Sequence, residues 1–154
     1  MKIKIAIYIL LALIILINIF IFANSFDTVE QSYEKSDAVT EVIESIVKDN
    51  NKEFNMSKVI RKSAHLFEFA LMGLAVTLCL YLVKRCYSKR LYGFGCFYVL
   101  AIAVIDEFIQ SFSDRTSLVS DVLLDFSGFL IGSILMILCI AVFNAVNKKR
   151  NKTI

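Results

Sequence analysis

The sequence predicts an all-α integral membrane protein, a four-helix bundle, and three observations carry that reading. Of its 154 residues, 58% are hydrophobic. No charged residue occurs from Ile5 to Phe26 or from Phe126 to Asn147, and each run exceeds the roughly 18–20 residues that a helix needs to cross a bilayer. The charges are bunched beside the apolar runs, whereas a soluble helix is rarely apolar on every face. The length corresponds to a single domain, residues 1–154. The formal net charge of +3 lies in short flanking segments, leaving no basic domain to hold a nucleic acid. Cys79, Cys86, Cys96 and Cys139 lack metal-type spacing, and none falls in the polar segment 27–57. Neither a cysteine metal site nor a disulfide framework is expected.

The first helix is expected at about 5–23, interrupted only by Asn18. Lys2 and Lys4 precede it as in a signal peptide, but its apolar run is longer than the roughly 7–15 residues of a secretory core. An uncleaved membrane helix is therefore expected. A polar loop follows, 24–57, with eight acidic residues. Within it Val39, Val42, Ile43, Ile46 and Val47 recur at helical spacing, predicting a short amphipathic helix. Membrane helices are then expected at about 59–83, 91–112 and 121–143, followed by a tail over 144–154. The basic segments at Lys2 and Lys4, at 84–90 and at 148–152 all fall on one side of a four-helix topology. The positive-inside rule makes that side cytoplasmic, so both termini are expected there.

The second and third helices each contain only fifteen wholly uncharged residues, Phe69–Val83 and Leu91–Ile105. At about 1.5 Å per residue this covers roughly 22 Å of a roughly 30 Å hydrocarbon layer. To span, the helices must draw in His65 and Glu68, and Asp106 and Glu107. Ionisable groups at such depth are expected to face the bundle or a wet cavity. Arg61, His65 and Glu68 follow i, i+4, i+7; Asp106 and Gln110, and Asp121 and Asp125, are i, i+4 pairs. With Glu107 and Arg115 they are expected at the outer end, where three polar stripes can converge on one outward-opening pocket.

Two kinds of role remain open for these residues. They can serve as interhelical pairs, with Arg61 and Arg115 neutralising carboxylates, or they can form a functional site. In the second case His65 beside Glu68 is a general acid/base candidate. The arginines can grip a phosphate. One histidine and scattered acids lack a specific metal-ligand spacing, so no metal and no cofactor are expected. Gly128 and Gly132 form G-x-x-x-G, expected to pack within the molecule rather than to dimerise it.

Two motifs in order, RKSAHLFEFALMGL (61–74) and DEFIQSFSDRTSLVSDVLLDFSGFLIG (106–132), resemble the VanZ-like family of small bacterial membrane proteins. QSYEKS (31–36) is a weaker echo, and the resemblance covers nearly the whole chain. The family-like positions are Arg61, Lys62, His65, Glu68, Asp106, Glu107, Gln110, Arg115, Asp121, Gly128 and Gly132. The chain departs from the pattern at Ser113-Asp114, where the family often has Pro-Gly, and at Asp125, where it has Asn. The resemblance implies an envelope protein associated with low-level resistance to teicoplanin, a lipoglycopeptide antibiotic. The expected function is engagement of a membrane lipid or lipid-linked cell-wall precursor in the outward pocket of a multi-pass bacterial cell-membrane protein. In an enzymatic version His65 and Glu68 handle protons, Asp106 and Glu107 orient or bind, and Arg61, Gln110, Arg115, Asp121 and Asp125 contact substrate. The rival expectation is a non-catalytic binding or assembly protein whose ionisable residues serve helix packing.

Overall fold

A computed structural model describes residues 2–26, 56–112 and 118–150. Among the described residues there are four helices and no strand: α1 (Lys2–Ser25), α2 (Met56–Tyr87), α3 (Tyr92–Gln110) and α4 (Val119–Arg150). Each is long and apolar enough to cross a membrane. The expected amphipathic helix and the QSYEKS echo lie outside the described residues.

The helices match the expected order but not every expected end. α4 continues to Arg150, so most of the segment read as a tail from 144 is helical. The reason is local. No glycine or proline follows Gly132 to break the helix, and Lys148, Lys149 and Arg150 suit the negative end of the helix dipole. α2 stops after Tyr87 because Ser88 adopts a left-handed backbone, φ 57°. Its N–H donates to the Lys84 carbonyl at 2.9 Å, the bond that closes an αL cap.

Side-chain contacts fix the arrangement. Asn18 of α1 donates to the Tyr98 hydroxyl at 2.5 Å, and Ser25 further along α1 donates to Asp106 further along α3. α1 and α3 therefore run parallel. α2 and α4 also run parallel to each other, joined by Lys62–Asp121 near their starts and Tyr81–Asn144 near their ends. Asn24 of α1 reaches Glu68 near the start of α2, so the two pairs are antiparallel. The small core is apolar along most of its length, with Ile21, Phe69, Met72, Val99 and Phe129 at its centre. Many large apolar side chains, including Ile9, Leu16, Phe97 and Val142, point away from the bundle. In hydrocarbon such exposure has no hydrophobic penalty, because lipid tails are as apolar as leucine.

α2 and α4 make the closest approach. A Cβ at Gly128 would fall on the Leu66 carbonyl, and one at Gly132 on the Ala70 carbonyl. Across the same seam, a Cβ at Gly73 would meet the Phe129 carbonyl. The G-x-x-x-G face is thus spent on packing within the chain, as expected from the sequence.

Candidate functional site

The polar residues collect at the end of the bundle where α1 and α3 finish and α2 and α4 begin. Three helices line one narrow cleft there: Arg61, Lys62 and His65 from α2, Glu107 and Gln110 from α3, and Asp121 and Asp125 from α4. The three stripes seen in the sequence do converge. The cleft is small, with a free volume of about 10 Å³, close to what one water molecule needs. It cannot enclose a lipid headgroup in this conformation.

His65 stands at the centre. Its Nδ1 lies 3.8 Å from Asp106 Oδ2 and 4.0 Å from Glu68 Oε2. Both separations exceed hydrogen-bond length. The two carboxylates are held by other groups. Asp106 is fully buried; it accepts from the Ser25 hydroxyl and from Gln110 Nε2, the latter at 2.8 Å. Glu68 Oε1 accepts from Asn24 Nδ2 at 3.0 Å. The Ser25 and Asn24 contacts orient carboxylates that a membrane interior would otherwise leave costly and unpaired.

Other expected site residues serve the framework as well. Glu107 accepts the Leu118 backbone N–H at 3.2 Å, tying the end of α3 to the residue before α4. Gln110 turns inward onto Asp106. Asp121 is paired with Lys62 at 2.5 Å; a carboxylate in the first turn of α4 also suits the positive end of that helix. Arg61 lines the cleft. Arg115 lies outside the described residues. Asp125 is 2% exposed, and its Oδ2 accepts no hydrogen bond among the described residues.

Sequence reasoning missed Asn24 and Ser25, assigning both to the polar loop. A signal was present. The buried face of α1 runs Ile7, Ile14, Ile21, Ser25, so Ser25 continues the i, i+7 and i+4 stripe of the core. Sequence spacing also could not reveal that His65, Asp106 and Asp125 come together, with one ligand-type atom from each lying within 4.8 Å of the others. They belong to three different helices.

A second feature adjoins the cluster. An apolar lateral groove of about 430 Å³ opens between α1 and α2, lined by Leu16, Ile17, Phe20, Ala64, Phe67, Glu68 and Leu71. Glu68 is the single ionisable residue of that lining. A further cavity of about 340 Å³ shares Ile17 and Leu71 and extends toward Leu78 and Met136. Along α2 the two cavities reach from Ala64 to Leu78, roughly 20 Å at 1.5 Å per residue.

Against known families, residues 7–141 match the family model described as VanZ/LLP1. No curated protein and no solved structure matches the chain.

Proposed function

The chain belongs to the VanZ/LLP1 family as a VanZ-like multi-pass membrane protein, and we propose that it engages a membrane amphiphile, a lipid or lipid-linked cell-wall precursor. One observation supports this above the others: Glu68 borders both the apolar groove and the polar cluster. Its side chain borders the groove between α1 and α2, and its carboxylate lies 4.0 Å from His65. An acyl or prenyl chain in the groove would bring its polar head to Glu68, His65 and Arg61. The tail would enter sideways from the bilayer, so the narrow polar cleft need not admit the whole molecule. Arg61 is the cation suited to a phosphate on that head.

On this reading the protein sits in a bacterial cell membrane with both termini cytoplasmic, and the polar end faces outward. Engagement of a lipid-linked envelope component there would lower susceptibility to teicoplanin-type lipoglycopeptides, as the family resemblance implies. The test uses cells making the full chain and a phospholipid with a photoreactive acyl tail. Ala64→Trp, which fills the groove, and Glu68→Gln should each reduce labelling of the α1–α2 groove at unchanged membrane abundance, and teicoplanin susceptibility should rise. Unchanged labelling in both variants would refute the proposal.

A second reading has its own support. Ser25 and Gln110 both donate to Asp106, and Lys62 pairs with Asp121, so part of the cluster is internally satisfied. If Glu68→Gln removes the protein from the membrane instead of changing its labelling, the non-catalytic packing role is favoured.

A further inference from the structure

We propose that His65, Asp106 and Asp125 form a binding site for one divalent transition-metal ion, Zn²⁺ or Mn²⁺. The inference deepens the reading of the polar core given above, although lipid engagement can hold without it. One ligand-type atom from each of the three side chains lies within 4.8 Å of the others. In a tetrahedral site two ligands, each at about 2.1 Å from the ion, stand about 3.4 Å apart. The His65–Asp106 pair at 3.8 Å is within a few tenths of an ångström of that spacing, and the widest pair of the set would close by about 1.4 Å at most from its 4.8 Å bound. The cleft bordered by His65 and Asp125 has about 10 Å³ of free space, a volume on the scale of one small guest.

The buried carboxylate of Asp125 supplies an independent observation. It is 2% exposed, its Oδ2 has no hydrogen-bond partner among the described residues, and it borders the cleft. A buried polar oxygen without a hydrogen-bond partner is costly, and a bound cation would offset that cost directly. The nearby lysine does not serve this purpose, because Lys62 is engaged with Asp121. Asp106 retains capacity beyond its bonds from Ser25 and Gln110, since a carboxylate offers about four lone-pair sites. Those two donors fix its orientation, as outer groups commonly do for metal ligands. The donor set selects the class of ion. An imidazole favours transition metals over Mg²⁺ and Ca²⁺, while the two carboxylates and absence of thiolate disfavour Cu⁺.

The full chain, purified in lipid nanodiscs and stripped with chelator, would be dialysed against Zn²⁺ or Mn²⁺, and bound metal counted by elemental analysis. The comparison set is Asp125→Asn, His65→Gln and Tyr81→Phe, the last at the opposite end of the bundle. Wild type and Tyr81→Phe should retain about one ion per chain; the two ligand variants should bind at least about tenfold more weakly. Thermal unfolding without metal identifies any variant that has failed to fold, and Asp125→Asn preserves shape if His65→Gln does not fold. Absence of stoichiometric metal in wild type, or equal retention by Asp125→Asn and Tyr81→Phe, overturns the proposal. Photolabelling of the groove is measured on the same stripped samples. Labelling without metal binding defeats the cation site alone; metal binding without labelling defeats the lipid reading alone.

Discussion

At the scale of single residues, the polar core is held by short side chains contributed late in α1. Ser25 donates to a carboxylate with no exposed surface, Asp106. Ser25→Ala should therefore destabilise the bundle by about 1–3 kcal/mol, the range for stranding a buried acceptor, as measured by denaturation in detergent. Lys62 offers a contrast. Its pair with Asp121 is short, but the lysine side chain is 45% exposed. Lys62→Met should shift stability by less than about 1 kcal/mol in the same assay, as exposed ion pairs generally do. The sequence made His65, Glu68, Asp106 and Asp125 visible because charge inside an apolar run is conspicuous. It did not reveal their assignments to partners. Gln110 reads as a substrate contact and Glu107 as an orienting or binding group; the bonds they make here go to Asp106 and to the Leu118 backbone. Asn24 and Ser25 were hidden because polar residues at the end of a hydrophobic run look like the start of a loop.

At the scale of helices, backbone proximity separates glycines that look alike in sequence. Gly132 faces the Ala70 carbonyl so closely that no Cβ fits, whereas a Cβ at Gly93 would meet nothing within 4 Å. Gly132→Ala should cost about 1–3 kcal/mol through overpacking. Gly93→Ala should be neutral or stabilising by up to about 1 kcal/mol through helix propensity. Thermal unfolding of the two variants side by side checks the contrast. The end of α2 gives the opposite use of glycine. Ser88 occupies left-handed space at φ 57°, where a Cβ costs about 1–2 kcal/mol. Ser88→Gly should raise the unfolding temperature modestly, by the part of that cost which the greater freedom of the unfolded glycine chain does not offset. Helix existence was legible from the uncharged runs at 5–26 and 126–147. Helix ends were less so, because hydrophobicity marks the depth of the bilayer and not the last hydrogen-bonded turn. α4 accordingly runs past its apolar stretch to Arg150.

At the scale of the whole molecule, the bundle has two unlike sides. α2 and α4 meet backbone to backbone at Gly128 and Gly132, while α1 and α2 leave apolar cavities between them. The convergence of polar stripes was legible in the sequence, since chain parity alone brings the relevant helix ends together. The lateral groove was not, because it depends on side-chain shape along α1 and α2. The glycine seam also bears on how the chain is made. It joins α2 to α4, so it cannot form until α4 has been synthesised. During that interval α2 and α3 wait in the membrane with Glu68 and Asp106, and α3 is the least apolar of the four spans. A chain ending before Val119 should lack the α2–α4 seam and be degraded faster than the full chain, as a pulse–chase comparison would show. The seam therefore dates the completion of the polar core: the cleft lined by three helices closes only once α4 has been made.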